Sequence, residues 1–488
     1  MRCTVSRTLS SAVVGCWLLC SGEGVTAFLS SRTCTRTRTG TSTTRPRTPT
    51  LKWNNGSHDQ DQEHDQEDET VRVDSRRRDL FSSAIAASAV AASAAVASWS
   101  IIDMNHVQPA MAFTTTRLTA QWDASSGLNS NEKEFVAFDM SAYTAMRDDP
   151  SRTPLFKKSL FDRLNAGRGP GRGPESQTVL DLGTGPFALF AIMAAEMGAG
   201  KVYAIEANPE VANYARKFIQ KQGFDDVITV LDGYSTDVTL PNNEKADIVV
   251  AEICGSISSE EGAYGTILDA HKRLIKDPTN AANWIPNRIQ TWAAPASYTL
   301  HNLFVPPEFD WTKIANEPVR FNCRDLGLAL LDEPQCVEDI TFADIDILKS
   351  STGSGSKGGT RSKTLSFKAS GDRITDNTSV FFDEYRKGRL DKEKASSLAT
   401  KAARSCSGIA FWPRIYLPGS SDSSEYVINS RTHPEGGPQK SHWQTVLPVM
   451  GATPVGGIQG GDVIEVTCNF DTPEGTNKSP KYTVVAEF

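Results

Sequence analysis

Thr178-Val179-Leu180-Asp181-Leu182-Gly183-Thr184-Gly185-Pro186-Phe187 decides how the middle of this 488-residue chain folds. Thr178 to Leu182 is a short apolar run of strand length, and two glycines follow it at once. An apolar stretch from Ala188 to Met197 then has the length and composition of a helix. Strand, tight turn and helix in that order start a parallel α/β unit. Glycine in such a turn allows positive φ and lets the backbone come close to a ligand. Lys201-Val202-Tyr203-Ala204-Ile205-Glu206 reads as the next strand and ends on an acid. A carboxylate there can accept hydrogen bonds from two ribose hydroxyls. A structural turn of any doubly wound domain is the other reading of the glycines alone. A dinucleotide fingerprint would need a third glycine near Phe187, which is missing.

The alternation continues outward. Val227 to Leu231 is a third strand, and the loop Asp232-Gly233-Tyr234-Ser235-Thr236-Asp237 is placed to border a nucleotide base. Asp247-Ile248-Val249-Val250 is a fourth strand, Tyr264 to Ile275 a helix, and Trp284-Ile285-Pro286-Asn287-Arg288 closes the unit. Ligands of such a sheet bind beyond the carboxyl ends of its strands. Just beyond Val250 stands Ala251-Glu252-Ile253-Cys254-Gly255-Ser256-Ile257-Ser258-Ser259-Glu260-Glu261. Two carboxylates in that position suit a planar cation, above all a guanidinium, whose fork donates charge-assisted hydrogen bonds. Charge at the start of the helix beginning near Gly262 is the alternative role for the same acids.

After Pro286 the pattern turns β-rich: Ile289 to Ala293, Ile340 to Ile347, Thr364 to Lys368, Ile409 to Leu417, Gln444 to Val449 and Asp462 to Asn469. That implies an antiparallel barrel or sandwich. Ser350 to Lys363 is rich in Gly, Ser, Lys and Arg and reads as a flexible loop.

Asp181-x-Gly183-x-Gly185 followed by Glu206 resembles motif I of the class I S-adenosylmethionine-dependent methyltransferases. Glu252-x8-Glu261 resembles the double-glutamate loop of the protein arginine N-methyltransferases. Ser441-His442-Trp443-Gln444 is similar to their Thr-His-Trp loop with Ser for Thr, and Gly408-Ile409-Ala410-Phe411-Trp412 to the strand before it. The likeness runs in consistent order from about Tyr143 to Phe488. It implies an α/β fold: N-terminal helices over the cofactor in 113–175, a Rossmann-like methyltransferase domain in 176–290, and an antiparallel β-barrel substrate domain in 291–488. Residues 298–328 would be a dimerisation arm, and with it the chain a homodimer; a long surface loop is the alternative.

The resemblance also assigns roles. S-adenosyl-L-methionine would be held by Arg152, Asp181, Gly183, Gly185, Glu206 and Thr236, with Arg152 on the methionyl carboxylate. Glu252, Glu261 and His442 would be catalytic. Met146, Asp149 and Trp443 would line the pocket, with Asp149 meeting His442, and Pro286 would be cis. Glu260 is expected to be a solvated loop or helix-start acid. The implied activity is methyl transfer to arginine of Arg-rich protein substrates. Transfer to a small amine or guanidine, or an inactive scaffold, are the alternatives. Ile253 to Glu260 lacks the aromatic and methionine residues of the asymmetrically dimethylating branch, and its Gly-Ser start is closer to the symmetric and monomethylating branches.

The first hundred residues read differently. Arg2 and Arg7 precede an apolar run from Ala12 to Cys20, and Val25-Thr26-Ala27 before Phe28 fits a signal-peptidase site, giving a signal peptide over 1–27. Residues 28–75 are a transit peptide and acidic linker, Ser-, Thr- and Arg-rich and free of acids as far as His58. The pair resembles the two-part plastid presequences of algae with secondary plastids. Arg76-Arg77-Arg78-Asp79-Leu80-Phe81 and the Ala-rich run to Ala110-Met111-Ala112 resemble a twin-arginine signal over 76–112, implying the thylakoid lumen. If uncleaved, 80–102 is long enough for a membrane anchor.

Residues 1–58 carry eight Lys or Arg against one acid, so the chain's net charge of −7 becomes about −14 for the rest. An acidic body argues against direct nucleic-acid binding and favours cationic protein substrates. Five of the nine cysteines, Cys254, Cys323, Cys336, Cys406 and Cys468, lie beyond the presequences, with neither metal-ligand spacing nor an even count.

Overall fold

The computed structural model describes residues 116–123, 139–166, 173–314, 317–344, 359–373, 378–421, 424–431, 441–472 and 479–488. All of them belong to one compact unit, Gln108–Phe488. The expected presequences 1–27, 28–75 and 76–112, with the apolar run 80–102, lie outside the described residues.

Strand β1 (Arg117–Asp123) is followed by helices α1 (Met140–Arg147) and α2 (Thr153–Asn165). Then β2 (Thr178–Leu182), α3 (Leu189–Glu196), β3 (Lys201–Glu206), α4 (Pro209–Gln222), β4 (Ile228–Asp232), β5 (Ile248–Val250), α5 (Ala263–Arg273) and β6 (Trp284–Ile285) form the α/β half. The five strands pair in parallel in the order β4-β3-β2-β5-β6. Every residue of β2 and of β5 is buried, as befits strands covered on both faces. The chain winds from β2 to β3 and β4 on one side, then returns to β5 and β6 on the other. The carboxyl ends of β2 and β5 therefore flank the switch point, where a ligand crevice opens. The glycine turn follows β2 and the two-glutamate segment follows β5, so register alone brings them side by side.

The Ile285–Pro286 peptide is cis at the junction of the halves. Beyond it come β7 (Arg288–Tyr298), α6 (Thr299–Leu303), β8 (Val319–Asn322), β9 (Leu328–Leu330), β10 (Gln335–Thr341), β11 (Gly359–Lys368), α7 (Thr378–Arg386), α8 (Lys392–Ala403), β12 (Ser405–Cys406), β13 (Gly408–Pro418), β14 (Glu425–Asn429), β15 (Gln444–Leu447), β16 (Val455–Gly456), β17 (Val463–Thr472) and β18 (Lys481–Glu487). One antiparallel sheet runs β10-β7-β13-β15-β8, with β14 on β13 and β9 on β7; a second runs β1-β18-β17-β11. Alternate residues of β17 and β18 point inward, among them Ile464, Val466, Phe470, Tyr482 and Val484. Trp122 stacks on Tyr482 at 5.3 Å and meets Phe411 of the larger sheet at 6.1 Å, so the two sheets share one core.

Four expectations change here. Residues 113–175 are not helical throughout: Arg117–Asp123 is a strand paired along its whole length with β18. The interval 298–328 is no projecting arm over its described second half, because Val319–Asn322 pairs with β15 and Leu328–Leu330 with β7. The expected loop Ser350 to Lys363 is strand from Gly359 onward, paired with β17, and its part before Gly359 is outside the described residues. The β-rich half also contains a helical hairpin, α7 and α8, with its own small core of Phe381, Ala395, Ala399 and Ala402. Residues 167–172 before β2, a Gly- and Arg-rich stretch of the sequence, likewise lie outside the described residues.

Candidate active site

The glycine turn after β2 takes positive φ at Gly183 (74°) and Gly185 (66°). Gly183 and Thr184 both donate from their amides to the Ile205 carbonyl, at 2.9 and 3.0 Å. Gly185 N donates to Glu206 Oε2 at 3.0 Å, and Asn208 N to Glu206 Oε1 at 2.9 Å. Glu206 thus stands at the end of β3 as an acceptor fixed by backbone, its carboxyl pushed up by burial. Asp181 faces the turn itself: Oδ2 accepts from Thr184 Oγ1 at 2.6 Å and from Ala191 N at 3.0 Å, tying the turn to the start of α3. Burial pushes its carboxyl up to about 6. Thr236 is half-buried in the loop after β4, its hydroxyl 3.3 Å from Asp237. Arg273 of α5 braces that loop through the Ser235 and Val238 carbonyls.

The first glutamate is already engaged. Glu252 Oε2 accepts from Arg152 Nη2 in an ion pair whose side chains are 9% and 5% exposed. Arg152 comes from the N-cap of α2; its Nη1 donates to the Met146 carbonyl at 3.0 Å, and its guanidinium lies over Phe190 at 5.0 Å and Phe156 at 5.4 Å. Arg152 Nε is buried without a hydrogen bond to the described residues. What the structure shows of Met146 is this carbonyl, which also accepts from Thr153 Oγ1 at 3.2 Å.

Glu261 is different: no hydrogen bond or ion pair joins it to the described residues. Burial first, then the negative charge of Glu252 and Glu260, pushes its carboxyl up to about 8. It does not cap α5, whose N-cap is Gly262 with no side-chain hydrogen bond.

Glu260 corrects the expectation of a solvated acid. It is 8% exposed, accepts from Ile257 N at 3.1 Å, and forms an ion pair with Arg320 of β8. Its backbone carbonyl takes a hydrogen bond from Ser479 Oγ. A Cβ on Gly255 would lie 2.6 Å from the Glu260 Cβ, so the segment folds back tightly on this residue. The next residue is Glu261, so the Arg320 clamp fixes where that carboxylate stands. Arg320→Ala is expected to cost about 1–3 kcal/mol in chemical denaturation, because it leaves a buried carboxylate without its cation. Glu260→Gln in the same background should recover part of the loss. If the single variant matches wild type in denaturant midpoint, the clamp is unimportant.

The segment before β15 docks against the glutamate segment. Trp443 Nε1 donates to the Cys254 carbonyl at 2.9 Å and Gln444 N to Ser256 Oγ at 3.1 Å. His442 Nδ1 is 2.8 Å from Asp149 Oδ2, which also accepts from His442 N at 3.0 Å. Ser151 gives the other Asp149 oxygen two hydrogen bonds, from N at 2.8 Å and Oγ at 2.6 Å. Burial raises the Asp149 carboxyl, but the hydrogen bonds from His442 and Ser151 outweigh it and hold it well below the usual carboxylate range. Burial lowers the imidazole despite Asp149, with Arg152 adding to the fall. A neutral ring facing an ionised Asp149 donates from Nδ1, which leaves Nε2 as its acceptor.

The structure therefore gathers Arg152, Glu252, Glu261, Asp149, His442 and Trp443, with the turn Gly183–Gly185 and Glu206 beside them. Two neighbours were missed in the sequence. Arg320 lies about sixty positions from Glu260, and a lone Arg in a strand gave no signal. Tyr143 of α1 packs on the turn: a Cβ on Gly185 would sit 3.5 Å from its Cε1, and burial with the charges of Glu206 and Glu261 pushes the phenol up. Its three-residue spacing to Met146 on one helix was the available clue. The five described cysteines are free, and Cys254 is buried with its thiol pushed well up.

Residues 172–260 match the family model described as ribosomal protein L11 methyltransferase (PrmA). Protein arginine N-methyltransferase PRMT10 of Arabidopsis thaliana is 32% identical over 158 residues, 32% of this chain and 39% of that protein. Protein arginine N-methyltransferase 7 of Gallus gallus is 37% identical over 152 residues, 30% and 21% of the two chains. The chain thus spans about two fifths or less of the length of these curated relatives. Among solved structures, the Trypanosoma brucei PRMT1 enzyme-prozyme heterotetrameric complex with AdoHcy aligns with a TM-score of 0.47 at 16% identity, covering 71% of this chain and 97% of that one. Arabidopsis thaliana protein arginine methyltransferase 10 aligns with a TM-score of 0.45 at 15% identity, covering 70% and 98%. Over about a third of its length, the chain is thus similar to protein arginine N-methyltransferases.

Proposed function

We propose that this protein transfers a methyl group from S-adenosyl-L-methionine to the guanidinium of arginine in Arg-rich protein substrates. One observation carries the reading: Glu252 holds a guanidinium, that of Arg152, between its carboxylate and aromatic rings, with a second carboxylate at Glu261. A site that grips one guanidinium has the shape and charge for another.

The residues also fit the cofactor. The positive-φ turn allows close backbone approach, and Glu206 ends β3 as an acceptor whose remaining lone pairs suit two hydroxyls. Arg152 supplies a cation for a carboxylate, and the half-buried loop containing Thr236 borders the same edge of the sheet. When bound, S-adenosylmethionine supplies an electrophilic methyl on a sulfonium.

Arginine is protonated at physiological pH, so its nitrogens are weak nucleophiles until charge is drawn from one of them. Glu252 and Glu261 would each accept from the fork and localise positive charge on the nitrogens they bind. The remaining nitrogen is then oriented, and positioning with electrostatics does most of the work. His442, its Nδ1 committed to Asp149, can receive a proton at Nε2.

The test is incubation with labelled cofactor and two peptides, a glycine-arginine repeat and its lysine counterpart. Label on arginine alone is expected, declining as salt screens the attraction between peptide and acidic protein. Label on neither peptide overturns the proposal. The presequences support a plastid location, which N-terminal sequencing of the native protein checks: a mature start beyond residue 27 is expected.

A further inference from the structure

Glu261 makes no hydrogen bond or ion pair to the described residues, so the chain on either side of it must hold it in place. The Arg320 clamp fixes its neighbour Glu260. Both ends of the surrounding segment, Ser258 to Tyr264, lead to a single residue of the β-rich half. Ser258 N donates to Thr291 Oγ1 at 3.0 Å, and Thr291 Oγ1 donates to Glu338 Oε2 at 2.8 Å. Tyr264 Oη donates to Glu338 Oε1 at 3.0 Å. Ser259 adds a further side-chain hydrogen bond to the same carboxyl. Arg361 of β11 donates to Tyr264 Oη and lies over its ring at 4.5 Å. Glu338 is 3% exposed, and Ser258, Ser259, Thr291 and Tyr264 are buried with it.

Strand β10 is shaped to deliver this side chain. Its pairing with β7 shifts register between Cys336 and Glu338, and Glu338 then stands opposite Thr291. Val337 and Glu338 are both buried, which the simple alternation of a one-sided strand does not give and a bulge does. No ion pair joins Glu338 to the described residues, and Arg361 reaches it through the Tyr264 hydroxyl. Its burial therefore carries a cost that an apolar side chain of similar size would avoid. We propose that Glu338 is a positioning residue: by holding Tyr264 directly and Ser258 through Thr291, it fixes Glu261 against the substrate guanidinium. The inference rests on the reading of the site given above.

The test compares the full chain with Glu338→Gln, with the pair Thr291→Val and Tyr264→Phe, and with all three substitutions together. For a glycine-arginine repeat peptide, Glu338→Gln is expected to lower kcat/KM about tenfold, because a reacting group displaced by a fraction of an ångström loses its alignment. Affinity for S-adenosylhomocysteine and the denaturant midpoint should stay unchanged, which a merely structural role would not allow. The Thr291→Val and Tyr264→Phe pair should lose a similar factor, and adding Glu338→Gln to it should cost less than about twofold more. Rates within twofold of wild type in Glu338→Gln overturn the assignment. So does a loss that comes with weaker S-adenosylhomocysteine binding or a lower midpoint, or one that persists in full when the two hydroxyls are already gone. A wild-type chain that methylates arginine while the variants show these failures loses only this inference. One that does not methylate arginine loses the underlying reading as well.

Discussion

Glu252→Gln is expected to lower kcat/KM for arginine methylation by about 10²- to 10³-fold. The substitution keeps the size and one acceptor oxygen but replaces the other with an NH₂ group that opposes the guanidinium N–H. It removes the charge that holds positive character on the bound nitrogens, so the loss should appear mainly in kcat rather than in cofactor affinity. In the free protein Arg152 also loses its ion-pair partner at a site where the arginine side chain is 5% exposed. An uncompensated cation there should destabilise the protein by about 2–4 kcal/mol without ligand. S-adenosylhomocysteine should restore much of that loss by giving Arg152 a carboxylate. Melting curves with and without the ligand separate this from misfolding. Steady-state rates within a few-fold of wild type would remove Glu252 from the chemistry.

Much of this site could be read from residues alone because its parts are local in sequence. The Gly183–Gly185 turn, the acid ending β3 and the spacing from Glu252 to Glu261 each follow from short stretches around buried strands. The parallel sheet was legible for the same reason: its strands are continuous apolar runs, which only a sheet covered on both faces requires. What escaped was long-range. β1 pairs with β18 at the far end of the chain, and no local pattern in Arg117–Asp123 names that partner. The hairpin α7–α8 was missed because its inner face is largely alanine at Ala395, Ala399 and Ala402, a helical spacing with little hydrophobic contrast. Glu260 was misplaced because solvation is the ordinary fate of a loop acid. Only the fold shows that the Gly255 backbone closes over it while β8 brings Arg320 to it.

Glu261→Gln is expected to make the protein more stable and inactive at once. The Glu261 carboxyl is pushed up to about 8, against 4.5 for an ordinary glutamate. Between those two pH values the folded protein keeps a proton that the unfolded chain releases, so raising the pH through that window lowers stability. Below the window both states are protonated, and above it both are ionised, so this group adds no slope in either range. Glutamine never ionises. Its advantage over wild type should therefore be near zero below about pH 4.5, grow as pH rises, and level off above about 8 at no more than roughly 5 kcal/mol. Arginine binding has the opposite requirement, because only the ionised carboxylate attracts the guanidinium. Peptide affinity of the wild type should rise by up to about tenfold per pH unit until near pH 8, while the variant stays weak throughout. The two curves, denaturation and peptide binding across pH 4 to 9, measure one titration from opposite sides. A destabilised variant at pH 8, or wild-type peptide affinity flat across the range, would show that Glu261 is not the strained carboxylate that the proposed reaction depends on.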